Sequence, residues 1–487
     1  MTLEEVLKKY EVVIGLEVHA QLNTKSKAYS ADPNEFGSIP NTNVSPISLG
    51  HPGTLPKLNK EVINHAIKLG LACHCDITRE MHFDRKNYFY ADLPKGYQIT
   101  QDKTPVCRNG YVLIKDAEGN EKKIDLTRIH MEEDSGKSTH DQDPFDTLVD
   151  LNRAGVPLLE IVTEPVIKNA TEAYNYLIEV RKLLRYLDVC DGNMEEGSMR
   201  CDANISIMPI GSKTYGNRVE VKNRNSIRNV YRAIEFEIVR HAEILEKGGE
   251  IYQETRNFDA PSGSTIGMRG KENALDYRYF PEPDLGGITI EQSYINQIEA
   301  LLPPLPNFLY KKYMNELGLS DYDATNIVEN RDIALYYEEI IKHTSNYKNA
   351  ANWLMGGVKS YLNQMSVEIT DFPIPAENIA KLIALIESGK INNNIASQKV
   401  FPAMLENPAV SPEQLAADND WIVQEDSGEI ESIIKSVFEK NPDETKRFKD
   451  GEKKLTGFFM GLVMRESKGK ADPKTTTQLL NKIIETI

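Results

Sequence analysis

The chain has 487 residues, 40% of them hydrophobic and 27% charged, which is the balance of an ordinary soluble protein with two to four domains. Its 57 Lys and Arg against 73 Asp and Glu leave a formal charge of −16, which excludes a general nucleic-acid coat and confines any RNA contact to a local patch. The five cysteines form no CxxC pair, no apolar run approaches the ~18 residues of a membrane helix, and the start, MTLEEVLKKYE, lacks the layout of a secretion signal, so a cytoplasmic setting is expected.

In chain order, VVIGLEVHAQL (Val12–Leu22) reads as a strand. Ile14, Leu16, Val18 and Ala20 share one face; Gly15, Glu17, His19 and Gln21 share the other. Cys73-His74-Cys75 closes a helical stretch and reads as thiols, since a two-residue spacing poorly converges thiolates on a metal. KIDLTRIHMEED (Lys123–Asp134) is a second strand. Glu133 falls there on the side of Ile129 and Met131, where a carboxylate needs a partner, and Asp134 follows. SGKST (Ser135–Thr139) imitates the end of a phosphate-cradling loop, but Met131 stands where the leading glycine belongs, and the acidic HDQDPFD follows instead of a helix.

In DLNRAGVPLLEIVTEP, Asp150 and Asn152 share a face before a turn, and Glu160 lies inside an apolar strand. A helix is predicted over about Thr171–Leu187. RCDANISI sets Arg200, Asp202, Asn204 and Ser206 against Cys201, Ala203, Ile205 and Ile207, and NRVEVKN places Glu220 and Lys222 together. A further helix starts from Ser226 as N-cap. Glu254–Leu285 is Gly/Pro-rich and reads as a mobile loop with Arg256, Arg269, Lys271 and Arg278. Without regular strand–helix alternation, this first part reads as α+β with a largely antiparallel sheet.

LLPPLPNF (Leu301–Phe308) breaks both helix and strand, and the period beyond it is helical. A second boundary falls near ENPAVSPEQL (Glu406–Leu415). The domains are therefore set at 1–297, 298–408 and 409–487. In Lys446–Lys474 nine Lys and Arg face four Asp and Glu, a local basic patch despite the acidic total.

Glu17, His19, Glu133 and Glu160 lie on strands that one sheet can bring together. Three carboxylates and an imidazole suit a divalent ion: oxygen-rich sets favour magnesium or manganese, and a histidine tilts toward manganese or zinc. Arginines beside such an ion are what phosphoryl transfer needs.

These stretches together resemble one family, the B subunits of the aspartyl/glutamyl-tRNA(Asn/Gln) amidotransferases. The likeness is carried by VIGLEVHAQL, YFYADLPKGYQITQ, RIHMEEDSGKSTHD, DLNRAGVPLLEIVTEP, EEGSMRCDANISI, VEVKNRNS, DYRYFPEPDL and GFFMGLVMRESKGKADPK, in order over essentially the whole chain. The resemblance implies a cradle-shaped catalytic domain related to glutamine synthetase, then an all-α domain and a small all-α tail that grips tRNA. It implies a ligase that forms a carbon–nitrogen bond: ATP phosphorylates the side-chain carboxylate of Glu-tRNA(Gln) or Asp-tRNA(Asn), and ammonia displaces the phosphate.

The resemblance also implies Mg²⁺ on His19, Glu133 and Glu160 with Glu17 beside them. Glu133, Glu160 and Asp134 would serve catalysis. Asn152, Arg200, Asp202, Asn204, Glu220, Lys222, Arg269 and Arg278 would contact ATP and the aminoacyl end, and Arg465, Lys468 and Lys470 the tRNA. Family members that carry two cysteine pairs after the first strand form a zinc knuckle there; the corresponding Ser30, Asp32, Ser45 and Ser48 predict no structural zinc, with loop closure by packing. The chain shows no glutaminase layout of its own. The resemblance therefore implies a heterotrimer with an amidase-type A subunit plus a small C subunit. The competing readings are a non-catalytic tRNA-delivery scaffold, which has no use for converging carboxylates, and a stand-alone carboxylate–ammonia ligase, for which the basic tail is superfluous.

Overall fold

Alternating apolar residues on long strands need a covering layer, and helices supply it on one face only. The computed structural model describes residues 1–140, 142–223, 226–268, 276–422, 427–467, 471 and 473–486. It divides into two compact units, Met1–Leu305 and Pro306–Ile487.

The first unit is built on β1 (Tyr10–Gln21), β2 (Asp84–Asn87), β3 (Tyr97–Thr100), β4 (Glu121–Glu133), β5 (Pro157–Thr163), β6 (Met199–Pro209), β7 (Val219–Asn223), β8 (Glu254–Asp259) and β9 (Ser264–Gly267). The main sheet runs β9-β8-β7-β6-β1-β5-β4 and continues through Cys107–Arg108 to Asp76–Ile77. Its pairings are antiparallel except β7 with β8, as the sequence predicts for an α+β sheet. β2 and β3 form a smaller sheet with Phe280–Pro281.

Helices α1 (Lys60–Ala72), α2 (Ala170–Tyr186) and α3 (Ile227–Glu246) cover the apolar side. Ile14, Leu16, Val18 and Ala20 are fully buried in one core with Tyr176, Leu177, Val180, Val230, Ile234 and Ile238 from α2 and α3. Both helices start where a side chain caps the free amides: Asn169 accepts from Glu172 N and Ser226 from Asn229 N. The opposite side of β1, bearing Glu17, His19 and Gln21, is half-buried and belongs to the site. Arg256 sits on β8 rather than in a mobile loop; β8 and β9 pair across the glycine-bearing turn at Gly263, whose φ is +69°.

The second unit is helical throughout its described residues. Its α4 (Ala376–Glu387) packs against α5 (Pro412–Asp418). A separate cluster from Ile430 to Ile484 unites α6 (Ser427–Lys440), α7 (Pro442–Lys449), α8 (Leu455–Glu466) and α9 (Pro473–Thr486) around Phe438, Phe448 and Phe459. The helical run Tyr347–Met365 contains a π-turn at Leu354–Val358, where the adjacent Gly356 and Gly357 stand.

The loop after β1 is closed by polar groups and not by the packing expected from sequence. Ser45 donates from its amide (3.1 Å) and its hydroxyl (3.0 Å) to Asp32 Oδ2, which also accepts from Ser48 Oγ. Ser30 Oγ lies 3.4 Å from Ser48 Oγ. The buried Lys27 donates to Asn43 O at 2.7 Å and stands 4.0 Å from Asp32; burial pulls its ammonium down to about 8. One carboxylate and three hydroxyls make a hydrogen-bonded knot and a poor zinc site. Asp32→Ala is expected to lower stability in urea denaturation by about 2–4 kcal/mol, because it strands three donors and a buried cation; Ser48→Ala should cost about 1 kcal/mol.

Candidate active site

Cross-strand register decides which polar side chains meet. His19 on β1 is opposite Glu160 on β5 and Arg200 on β6, and Glu160 is opposite His130 on β4. Side chains of paired residues share a face, so His130, Glu160, His19 and Arg200 form one row across four strands. A second row holds Glu17, Asp202 and Lys222; a third holds Asn204 and Glu220.

The Glu160 carboxylate is held between two imidazoles. Its Oε2 lies 3.4 Å from His19 Nε2 and 3.3 Å from His130 Nε2. Burial opposes ionisation of Glu160, but the two histidines outweigh it and keep the carboxyl well below its usual range. Burial likewise disfavours charge on His19, yet Glu160 and Asp202 raise it above the ordinary value. His130 is 3% exposed and its Nδ1 has no hydrogen-bond partner among the described residues.

Glu132 completes the cluster. Its Oε2 accepts from Thr100 Oγ1 at 3.1 Å and stands 3.8 Å from Lys86 Nζ and 3.9 Å from His130 Nε2. Donor atoms of His19, Glu132 and Glu160 lie within 4.8 Å of one another, the set among the described residues able to hold a metal ion. Ligands around Mg²⁺ at about 2.1 Å lie roughly 3–4 Å apart, so small rotamer changes close this set.

The sequence pattern points to Glu133, and the structure brings Glu132 instead. Strand alternation puts Glu133 on the opposite face, where it pairs with Lys95 and accepts from Ile99 N at 2.9 Å. Glu17 is on the site face but one row away, receiving 3.0 Å from Asn204 Nδ2. Burial and the nearby Glu160 and Asp202 push its carboxyl up.

Asp134 forms the rim. Arg200 Nη2 donates to it at 2.6 Å and Gln21 Nε2 at 2.9 Å, with Arg153 Nε 3.6 Å away. Burial alone would raise Asp134, but Arg200 and Arg153 hold it below the normal range. Lys222 bridges Asp202 (2.8 Å) and Glu220 (2.6 Å), and Glu220 also accepts from Thr255 Oγ1 at 2.9 Å. One cleft is lined by His19, Gln98, Glu132, Asp134, Arg200 and Lys222 among others. It sets an acidic, imidazole-bearing wall against two cations, which suits a divalent ion beside phosphate oxygens.

Other predicted residues lie elsewhere. Asn152 holds the neighbouring loop, accepting from Asn43 N at 2.8 Å and donating to Ile39 O at 2.7 Å. Arg278 is exposed, its side chain 4.0 Å from Asp276. Arg465 is exposed on α8, while Arg269, Lys468 and Lys470 lie outside the described residues. Arg256 is committed to Glu254 and Thr265. Ser135–Thr139 leads into a short strand, Lys137–Thr139, paired with Leu148–Asp150, and no helix N-terminus stands there. Sequence reading missed His130, Glu132 and Lys86. The signal was present: His130 and Glu132 repeat, in reverse, the two-residue spacing of Glu17 and His19.

Comparison with known proteins bears on the family of the chain. The family described as the GatB/GatE catalytic domain matches residues 12–296, and the family described as the GatB domain matches residues 335–484. The chain is 47% identical over 476 residues to the B subunit of the aspartyl/glutamyl-tRNA(Asn/Gln) amidotransferase of Geobacter sulfurreducens, covering 97% of this chain and 99% of that protein. It is 46% identical to the protein of the same name from Crocosphaera subtropica, covering 99% of each, and 45% identical to that from Clostridium botulinum, covering 98% of each.

Glu132→Gln is expected to weaken Mn²⁺ binding, read by electron paramagnetic resonance, at least about tenfold. Glu133→Gln should change Mn²⁺ affinity by less than about twofold and act on thermal stability instead, because it unpairs Lys95. The reverse ranking would restore Glu133 as the ligand.

Proposed function

This chain belongs to the B-subunit family of the aspartyl/glutamyl-tRNA(Asn/Gln) amidotransferases, and we propose that its sheet-lined cleft is where the tRNA-borne carboxylate is activated and amidated. The activity is a carbon–nitrogen ligation with glutamine as nitrogen source, turning Glu-tRNA(Gln) or Asp-tRNA(Asn) into the amide form. The single observation that carries the site assignment is the row His130–Glu160–His19–Arg200, with Glu132 beside it. A delivery scaffold has no use for such a row.

The chemistry explains the need for both walls. A carboxylate resists ammonia because its carbon is electron-rich and oxide is a hopeless leaving group. A carboxylate oxygen of the substrate attacks the γ-phosphorus of ATP; the new O–P bond forms as the bond to ADP breaks. The lone pair of ammonia then forms the C–N bond, phosphate leaves with the C–O electron pair, and the nitrogen sheds a proton. His19, Glu132 and Glu160 would hold Mg²⁺, which when bound neutralises triphosphate charge. Arg200 and Lys222 face the same space and counter charge on the transferred phosphoryl group. Asp134 fixes the Arg200 guanidinium, and Glu220 with Asp202 fixes the Lys222 ammonium.

Further parts of the reading follow from chemistry. The relatives are named as B subunits, which places those proteins in multi-subunit enzymes. In our reading this chain joins an amidase-type A subunit, which hydrolyses glutamine, together with a small C subunit. Free ammonium is no nucleophile, so ammonia must reach the cleft under cover. The expected parts 1–297, 298–408 and 409–487 would divide catalysis, connection and tRNA contact, although Pro412–Asp418 packs with the middle part, and Arg465, Lys468 and Lys470 would serve on the tail. No helix among the described residues is long and apolar enough to cross a membrane, and we place the enzyme in the cytoplasm.

The test is ATP-dependent conversion of mischarged tRNA by the reconstituted complex, with either glutamine or ammonium chloride as donor. His19→Ala and Glu160→Gln should lower turnover at least about hundredfold with both donors, while glutamine hydrolysis by the partner persists. Full turnover in these variants would overturn the assignment of the cleft.

A further inference from the structure

The connection between β2 and β3, Tyr88–Gly96, carries large apolar rings on its surface. Phe89 is 88% exposed and Tyr90 is 60% exposed. The loop beneath them is well fixed. Tyr88 N donates to Gly96 O (3.2 Å), Leu93 N to Tyr90 O (3.1 Å) and Gly96 N to Leu93 O (3.0 Å), with the Leu93 side chain buried. Asp92 ties the loop to the turn that follows Asp134: its carbonyl accepts from Gly136 N at 2.7 Å and its carboxylate from Ser138 Oγ at 3.0 Å. The Phe89 ring lies over Gly96, where an added Cβ would come within 3.1 Å of it. Two exposed rings on an ordered support next to a cleft are a binding feature, since apolar surface held out in water has no folding benefit.

The rings continue inward as a ladder. Tyr90 meets Tyr88 at 5.8 Å, Tyr88 meets Tyr277 at 6.0 Å, and Tyr277 meets Tyr279 at 6.0 Å, all edge to face. Each edge contact covers one face of one ring, and Phe89, Tyr90 and Tyr279 remain exposed for stacking while Tyr88 and Tyr277 are half-buried behind them. Beside the third ring, Lys86 Nζ lies 5.1 Å from Tyr277 and 3.8 Å from the Glu132 carboxylate. The ladder therefore starts at the site and leads out of it. Arg278, between Tyr277 and Tyr279, has a side chain 83% exposed and 4.0 Å from Asp276.

Aromatic faces along a track with an available cation are the chemistry that takes unpaired nucleotides: bases stack on the rings and phosphates meet the cation. Three ring-to-ring steps exceed the reach of one base, which disfavours the single adenine of ATP. We infer that Phe89, Tyr90 and the tyrosine ladder behind them hold the unpaired 3′ end of the charged tRNA and lead its amino acid into the cleft. This rests on the functional reading above. Phe89 and Tyr90 act as specificity and positioning residues at a distance from the reacting atoms.

The experiment compares the wild-type complex with the Phe89→Ala/Tyr90→Ala double variant, whose exposed positions spare the fold; its melting temperature should stay within about 2 °C of wild type. The KM for mischarged tRNA should rise about tenfold while the KM for ATP stays unchanged, and Phe89→Trp/Tyr90→Phe should restore the wild-type value. Removing the unpaired 3′ nucleotides from the tRNA should weaken its binding to wild type by a similar factor and cause no further loss in the alanine variant. An unaltered KM for tRNA would overturn the inference. A raised KM for ATP with intact tRNA affinity would overturn it too, placing adenine of the nucleotide on these rings. A wild-type complex that converts no charged tRNA would sink the functional reading itself, an outcome distinct from the other two.

Discussion

Antiparallel pairing of β1 with a strand on each side is the constraint from which the site follows. Once His19 is registered against Glu160 and Arg200, and Glu160 against His130, four ionisable side chains from distant segments share one face. A one-residue slip of any of these strands would turn its charges into the helix-covered core. That core is apolar and fully buried along β1, so the register of the polar row is enforced from behind, by Ile14, Leu16, Val18 and Ala20.

The polar face is crowded with like charge, and its partners are arranged to tolerate that. Glu160 is stabilised by two imidazoles, Asp134 by two guanidinium groups, and Asp202 and Glu220 by Lys222. Glu17, which accepts from the Asn204 amide, is pushed toward its neutral form by burial and by the neighbouring acids. Such a surface is costly as architecture alone, and a divalent cation with a polyphosphate offsets its two opposed signs. That complementarity is the physical support for the catalytic reading over a scaffold.

Around the sheet, loops are held by polar knots rather than by added core. Asp32 gathers Ser45 and Ser48, Asn152 anchors the loop near Asn43, and Asp92 ties the aromatic hairpin to the turn after Asp134. Each is a short-range device that fixes a loop at low cost in apolar surface. The aromatic loop joins the rim through such a contact at Asp92.

Local pattern alone determined a good deal. The alternation in VVIGLEVHAQL and RCDANISI gave the strands and their faces, Ser226 gave a helix start, and the prolines near 301–308 marked the division between sheet and helices. Polarity stops identifying the site where a strand is buried on both sides, as at Ile129–Asp134: alternation puts Glu133 with Ile129 and Met131, but every residue there is inside, so burial does not tell which of Glu132 and Glu133 faces the site. Arg256 and Asn152 show the same limit from another side: composition suggested a mobile loop for Arg256, and alternation a strand face for Asn152, where hydrogen bonds of the fold had already claimed both. Which charges meet is a property of strand order and register. Both depend on contacts between segments from 20 residues apart, as Asp202 and Lys222, to well over a hundred, as His19 and Arg200, and only the folded chain settles them.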